Sequence, residues 1–498
     1  MTTGEAVCVA LLLAYVIWVP LPFGSNIDAA YVPLIVPPLV LCAAAGLLRS
    51  VSARDLNLSR AYRMWSLAGI AVIAICALQL IPLPPSLAAV LSPESHAIWS
   101  AADRVVALTH DAAPLARLHP ITVNPNATWR ELFRLIALFA MFQTSALLIY
   151  TYRRRVGFAF ALSVAGLFEA LYGIREAALR RYEIWGWPNR LIFDRITGTF
   201  VNPNHFAHYL GIVLPFAIYL GAIAWRNAAA GQRMSFGRHV AALIERQLLL
   251  FAASVAVSLA CIAGVLLAQS RGALLSIVVG LALVMGIVAL SGDAEGPPRR
   301  RRARVAVRRT AFTMAVIVLV IAGLIGLLGV RRTMARIESG STDPGQLGGR
   351  RTGIESALRV WKAFPLLGSG AGTFTDVVSI GQSESVDKLY QHAHDDYAEI
   401  AATLGVAGAL MIAALFIGLL LAFEHHLRNE NGGSWRARAF GVAALTSLVI
   451  ASIHALIDFN FFIPSNAATI AAIAGAAVAP SLRPRRRESE AVESEPPA

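Results

Sequence analysis

Runs of about 20 apolar residues recur along nearly the whole chain, and no other feature restricts its fold as severely. At about 1.5 Å per residue, a helix of that length crosses a hydrocarbon core of roughly 30 Å. Lipid offers no partners for backbone N–H and C=O groups, so a spanning segment is either a helix or part of a closed barrel. Continuous apolarity without strict alternation excludes the barrel. The runs fall at approximately 5–23, 29–48, 64–82, 131–150, 157–176, 206–225, 248–268, 272–291, 311–330, 397–422, 438–457 and 460–480. The chain is therefore expected to be an all-α polytopic integral membrane protein with about twelve transmembrane helices. Composition agrees, since 57% of the 498 residues are hydrophobic and 15% charged, against roughly 25% charged in soluble domains.

A net charge of +13 raises the question of nucleic acid, but its placement answers otherwise. Arginines mark every second connection: Arg49, Arg54, Arg60 and Arg63 after the second run, Arg153 to Arg155 after the fourth, and Arg226, Arg233, Arg238 and Arg246 after the sixth. "PPRRRRARVAVRR" follows the eighth run, Arg428, Arg436 and Arg438 the tenth, and Arg483 and Arg485 to Arg487 the last. By the positive-inside rule these connections and both termini are cytoplasmic. Chemistry is expected on the other side. Cys8, Cys42, Cys76 and Cys261 all fall inside apolar runs, which leaves none for an outer disulfide. The first run lacks a basic leader and a small-residue cleavage site, and reads as a retained span rather than a signal peptide. The terminal "RPRRRESEAVESEPPA" has no apolar periodicity and is expected to be disordered.

Three outer connections are long enough to carry function, at about 83–130, 177–205 and 331–396. In the second, "RITGTFVNPNHFAHYL" sets Arg195, Asn204 and His205 before the sixth helix. Asn204 suits a cap there, and the unpaired N–H groups of a helix start hold anions; the bland reading is an interfacial turn with an Asn-Pro breaker. "AQSRGALL" contains Arg271, the single charge between two long apolar runs. It either snorkels into headgroups or offers its planar fork to a lipid-linked phosphate. In the third connection, Ile354, Leu358 and Trp361 are spaced as one face of an amphipathic helix at the membrane surface, with Arg351 on the same face and Pro365 as the stop. The following "GSGAGT" looks like a phosphate-cradling loop, but no strand precedes it and the cofactor signal is weak.

"YQHAHDDYAEIAATLGVAGAL", from Tyr390, places two histidines and two aspartates against the start of an apolar run. His392 and His394 are two apart and lie on different faces of any helix, unlike metal ligands at i and i+4. Three readings stand: a zinc site, a solvated loop, or general-base catalysis by the side chain whose ordinary pKa lies nearest neutrality.

Taken in order, "GTFVNPNHFAHYL", "SRGA", "FPLLGSGAGTF", "HAHDDYAEIAATLGVAG" and "HALIDFNFFIPSNA" resemble the O-antigen ligase and polymerase superfamily over residues 195–465. Singly none of these motifs is specific. The resemblance implies a C-type glycosyltransferase-like membrane fold. Residues 1–194 would form the first five helices and their outer loops, 195–482 the catalytic membrane region with a large periplasmic loop at 331–396 containing the amphipathic helix, and 483–498 a cytoplasmic tail. It implies transfer of a glycan from an undecaprenyl-diphosphate carrier to a saccharide acceptor, either lipid A core or another glycan. Transfer would take place at the periplasmic face of the bacterial inner membrane, with inversion and with no metal or other cofactor. It assigns Arg195, Arg271 and Arg351 to the diphosphate, with Arg271 and His394 as the catalytic pair, His394 acting on the acceptor hydroxyl. His392, Asn204, Asp395 and Asp458 are supporting candidates. The chain departs from the family pattern in reading "HDD" where "HND" is usual. Asp395 then either raises the histidine pKa by its charge or is itself the base, and Asp458 either orients a partner or caps a helix. Two other readings are a protein O-oligosaccharyltransferase of the same superfamily and a polytopic transporter or flippase. The latter rests on Glu169 and Arg134, charges expected inside the membrane.

Overall fold

A computed structural model describes residues 2–51, 56–110, 118–189, 195–229, 232, 234–290, 344–381, 390–427, 435–479 and 481–482. Helices dominate: α1 (Thr3–Trp18), α2 (Asp28–Val51), α3 (Arg60–Gln79), α4 (Pro85–Leu91), α5 (Pro93–His110), α6 (Pro125–Leu148), α7 (Tyr152–Leu179) and α8 (Pro203–Ala228). They continue with α9 (Phe236–Leu267), α10 (Arg271–Leu290), α11 (Pro344–Ala363), α12 (Phe374–Gly381), α13 (Asp396–Leu427), α14 (Trp435–His454) and α15 (Pro464–Ala477). Among the described residues, nine of these are long and apolar enough to cross a membrane: α2, α3, α6 to α10, α13 and α14. The chain is a multi-pass membrane protein.

Two expected spans are shorter than their apolar runs. Pro20 and Pro22 follow α1 in a turn, so that it stops at 16 residues. The run at 460–480 opens with a 3-10 turn over Asn460–Phe462 and becomes helical only at Pro464, which leaves 14 residues. That is about 21 Å of rise against a core of roughly 30 Å. The run at 311–330, the basic stretch before it and the tail at 483–498 lie outside the described residues. The outer connection at 83–130 is not one loop, since α4, α5 and a backbone bridge between Leu83 and His119 fill it. The core does not divide at residue 194: one buried apolar cluster runs from Cys8 to Val478.

The side-chain bonds sort the helix ends onto two faces. On one, the Arg134 guanidinium near the start of α6 donates to the Phe461 carbonyl before α15, and the Asp396 amide at the start of α13 donates to the Ala455 carbonyl after α14. On the other, Arg154 at the start of α7 donates to the Leu148 carbonyl at the end of α6, and His426 near the end of α13 donates to the Ala477 carbonyl at the end of α15.

The "GSGAGT" loop serves packing. Helix α13 breaks at Gly405 (φ 63°, ψ −148°), which frees carbonyls that Gly370 and Gln79 use: the Gly370 amide and the Gln79 side-chain amide both donate to the Thr403 carbonyl, at 3.1 and 3.0 Å. Gln79, fully buried in α3, also donates to the Leu367 carbonyl and accepts from the Ala371 amide. A Cβ on Gly368 would stand 2.1 Å from the Thr403 carbonyl oxygen, so backbone meets backbone where only glycine fits. At Gly405 itself a Cβ would stand 2.4 Å from the Leu366 carbonyl oxygen. Gly405→Ala is expected to cost about 1–3 kcal/mol in backbone strain, with the clash in addition. The check is the thermal midpoint of the detergent-solubilised protein, and a midpoint equal to wild type would remove this clamp from the account.

Candidate active site

On the face where α8, α10, α13 and α15 start, one carboxylate is sealed from solvent. Asp458 follows α14 in the turn toward Asn460–Phe462 and is 1% exposed. Three cationic or ionisable groups from three other segments face it. His394 approaches with Nδ1 3.6 Å from Oδ1, His205 with Nε2 3.8 Å from Oδ1, and Arg350 with a terminal nitrogen 3.8 Å from Oδ2. These are ion-pair separations, longer than hydrogen bonds. Among the described residues, Asp458 Oδ2, His205 Nε2 and His394 Nδ1 are accordingly buried without a hydrogen-bond partner. Burial works against the charged Asp458, but the imidazoles of His205 and His394 outweigh it and hold the carboxyl well below the ordinary carboxylate range.

The next residue, Phe459, is the platform for three imidazoles, those of His205, His392 and His394. His392 stacks flat on its ring at 4.3 Å, while His205 and His394 meet it edge-on at 4.6 and 5.0 Å. His394 takes a left-handed backbone (φ 57°), which turns its side chain toward Asp458 while His392 turns toward Glu399. The His392 Nδ1–H donates to Glu399 at 2.9 Å, and the Ala393 amide donates to the other oxygen of the same carboxylate at 2.8 Å. Burial works against a charged His392, yet the Glu399 carboxylate outweighs it and holds the imidazole above its ordinary value. The two histidines are thus committed to different carboxylates. Among the described residues no group of three His, Cys, Asp or Glu side chains is placed to hold a metal ion.

Asp395 has a structural task beside either one expected of it. Its Oδ1 accepts from the Tyr397 and Ala398 amides at 2.9 and 3.0 Å, so it caps α13. Asn and Asp are equivalent there, which accounts physically for "HDD" standing where "HND" is usual. Burial raises the Asp395 carboxyl above its ordinary value. Asp396 is also occupied, accepting from the Phe461 amide at 3.1 Å through both oxygens and so tying the Asp458 turn to α13.

Arg271 is the first residue of α10 and is exposed. Its neighbour Gly272 packs so closely on α14 that a Cβ there would stand 3.1 Å from His454 Nε2 and 2.8 Å from Ile457, beside Asp458. Arg195 donates to the Ala268 carbonyl at 2.8 Å and to the Asn204 side chain at 3.0 Å, joining the end of α9 to the start of α8. Asn204 is not the cap of α8. That role falls to Asn202, whose side chain accepts from the Asn204 amide at 2.8 Å, with Pro203 as the first helical residue.

Arg351 does not face this cluster. It is 83% exposed and pairs with Glu355 along α11 at 2.7 Å. Its neighbour Arg350 points inward instead. The reason is the packing face of α11, which is Gly353, Ala357, Val360 and the following Phe364, while Leu358 stays exposed. Arg350 lies on that stripe, and Arg351 is about 100° away from it. The two charges expected inside the membrane are braces. Glu169 accepts from the Thr199 amide and hydroxyl at 2.8 and 2.7 Å, and Arg134 pairs with Glu131 and donates to the Phe461 carbonyl. Beneath the Phe461–Phe462 turn lies a largely apolar cavity of about 300 Å³ between α3, α6 and α13, lined by Trp65, Leu138, Phe139 and Phe416, with Arg134 and Tyr397 among its polar groups.

The family model described as O-antigen ligase matches residues 256–413. The chain carries an O-antigen ligase domain. Curated proteins offer no significant match to it. The ligase domain runs from within α9 into α13 and contains Arg271, Arg350, His392 and His394. His205, Arg195 and Asp458 lie outside the matched span, and the fold brings His205 and Asp458 onto the ligase domain's His394. Sequence reasoning passed over His205 as a role, along with Glu399, Arg350 and Phe459. His205 and Glu399 stand inside quoted motifs, where a polar residue so near a helix start was the available signal. Phe459 carried none.

Asp458 and His392 are shifted in opposite senses. The Asp458 carboxyl is depressed, so its stabilisation is complete above the unfolded value near 3.9 and is lost as pH falls toward the folded one. His392 is raised, so its stabilisation is complete below about 6.5 and is lost as pH rises through the folded value. The gap in thermal midpoint between wild type and Asp458→Asn is expected to narrow from pH 5 to pH 3, whereas that between wild type and Glu399→Gln narrows above neutrality. Gaps independent of pH in melting curves would contradict both assignments.

Proposed function

We propose that this chain transfers a glycan from an undecaprenyl-diphosphate carrier to a saccharide acceptor at the periplasmic face of a bacterial inner membrane, as an O-antigen ligase or surface-polysaccharide polymerase. The ligase-family match supports ligase or polymerase type chemistry in general terms. The observation that carries the finer reading is the approach of the His394 imidazole to a buried, ionised Asp458 within a cluster that also gathers arginine.

In this reading the acceptor hydroxyl gives its proton to His394 Nε2, the nitrogen turned away from Asp458, as its oxygen attacks the anomeric carbon. Asp458 stabilises the imidazolium that results. The bond from the anomeric carbon to the diphosphate oxygen breaks on the opposite side, and the configuration inverts. The diphosphate departs with the electron pair, and the guanidinium groups of Arg271, Arg195 and Arg350 neutralise the charge that develops. A leaving group of that stability requires no general acid. The base contributes about 10²- to 10⁴-fold. The apolar cavity beside Phe462 suits part of the carrier's hydrocarbon chain.

His394→Ala and Arg271→Ala are each expected to abolish transfer while the protein stays inserted and folded. Arg350→Ala is expected to lower kcat/KM by about 10²-fold, and Arg351→Ala to leave it near wild type. Loss of activity in His392→Ala but not in His394→Ala would move the base to His392. Surface-glycan analysis of a deletion strain separates the two forms of the reaction: lipid A core without long chains indicates a ligase, and single-repeat chains indicate a polymerase.

Chelation is expected to leave transfer intact. Loss of activity on chelation, restored by zinc, would revive His392 and His394 as ligands.

A further inference from the structure

The face opposite the candidate active site collects arginines, and most of them are accounted for. Arg154 of α7 pairs with Glu5 at 2.9 Å and donates to the Leu148 carbonyl, while Arg49 of α2 donates to the Leu147 carbonyl at 2.7 Å. Two neighbours are not. Arg155 of α7 reaches over the Phe440 ring of α14 at 5.6 Å, and Arg436 of α14 reaches back over the Tyr152 ring of α7 at 4.6 Å, so the guanidinium groups cross between the same two helices. Tyr219 of α8 meets the same Phe440 ring edge-on at 5.6 Å, and among the described residues its buried hydroxyl has no hydrogen-bond partner. Among the described residues, Nε of Arg155 and Nε of Arg436 are likewise buried and unpaired, and Asn227, at 3.0 Å, is the one side-chain acceptor of Arg436. Among the described residues no carboxylate pairs with either arginine.

Two like charges held between the starts of the same two helices, partly desolvated and with no counter-anion among the described residues, are unfavourable. Both also sit in the first turns of their helices, where the backbone dipole adds positive potential. We propose that Arg155, Arg436 and the Tyr219 hydroxyl form a binding site for a phosphate group on the face of the bundle opposite the candidate active site. Guanidinium forks match phosphate oxygens in geometry and charge, and the hydroxyl supplies a third donor. Its position between helix ends at the membrane boundary fits the headgroup of an anionic phospholipid, and free phosphate has the same chemistry.

The test uses the full-length protein purified and reconstituted in phosphatidylcholine nanodiscs, with phosphatidylglycerol and inorganic phosphate as separate probes. Thermal midpoint and native mass spectrometry are the readouts. Phosphatidylglycerol is expected to raise the wild-type midpoint and to stay bound, with retention falling by about fivefold or more in Arg155→Gln/Arg436→Gln. Arg153→Gln, which removes an exposed neighbouring charge, keeps the wild-type response. A response to phosphatidylglycerol alone identifies a lipid headgroup as the source, and an equal response to inorganic phosphate identifies the free anion. The proposal is overturned if neither probe binds, if the double variant binds as wild type does, or if Arg153→Gln loses as much as the double variant. Should the double variant fail to fold, Tyr219→Phe removes only the third donor. A weaker response in that variant supports the site, and an unchanged one sinks it. None of these readouts involves glycan transfer.

Discussion

A carboxylate removed from water has to be compensated, and at Asp458 that requirement organises the whole site-bearing face. The compensating groups come from the start of α8, the first half of α11 and the segment before α13, all distant in sequence, so the carboxylate can be buried in its ionised form only when these elements have converged. The contacts at 3.6–3.8 Å are loose for hydrogen bonds. Such a cluster holds charge in place without saturating the nitrogen atoms. In the proposed reaction, a side chain that takes up and releases a proton needs that latitude.

Around this charge the backbone is held by main-chain contacts at glycine. Gly353, Gly368 and Gly405 each sit where a Cβ would strike a neighbouring carbonyl oxygen. The role of the small residues is therefore to bring helices close enough that Asp396 reaches the Phe461 amide and Gln79 reaches the Thr403 carbonyl. Close approach of this kind is how membrane helices associate when no hydrophobic force separates them from lipid.

Membrane helices were legible because apolarity over a fixed length is a strong physical signal, and the described spans lie on the runs that predicted them. Their ends were less legible, because Pro20, Pro22 and Pro464 shorten helices inside runs that stay apolar. The site was legible as a set of motifs but not as a geometry. Arg350 and Arg351 are adjacent, and hydropathy chose the stripe of Ile354, Leu358 and Trp361, whereas α11 packs through Gly353, Ala357 and Val360. Small residues register weakly on any apolar scale, so the phase came out one residue off. The capping role of Asp395 was hidden for a related reason: a carboxylate beside histidines suggests acid–base chemistry, and only the amides of Tyr397 and Ala398 show it to be a cap as well. Phe459, which touches three imidazoles, is silent in sequence because one aromatic among several apolar residues has no distinguishing pattern.

The interruption at Gly405 also fixes an elevation. Unbroken, α13 would be about 48 Å long, well beyond a hydrocarbon core of roughly 30 Å. Below the interruption, residues 406–427 give about 33 Å, enough to traverse the bilayer, and the stub from Asp396 to Leu404 adds about 13 Å above it. The stub acts as a plinth. It sets the His392 and His394 imidazoles a short helix beyond the stretch that suffices to cross a bilayer.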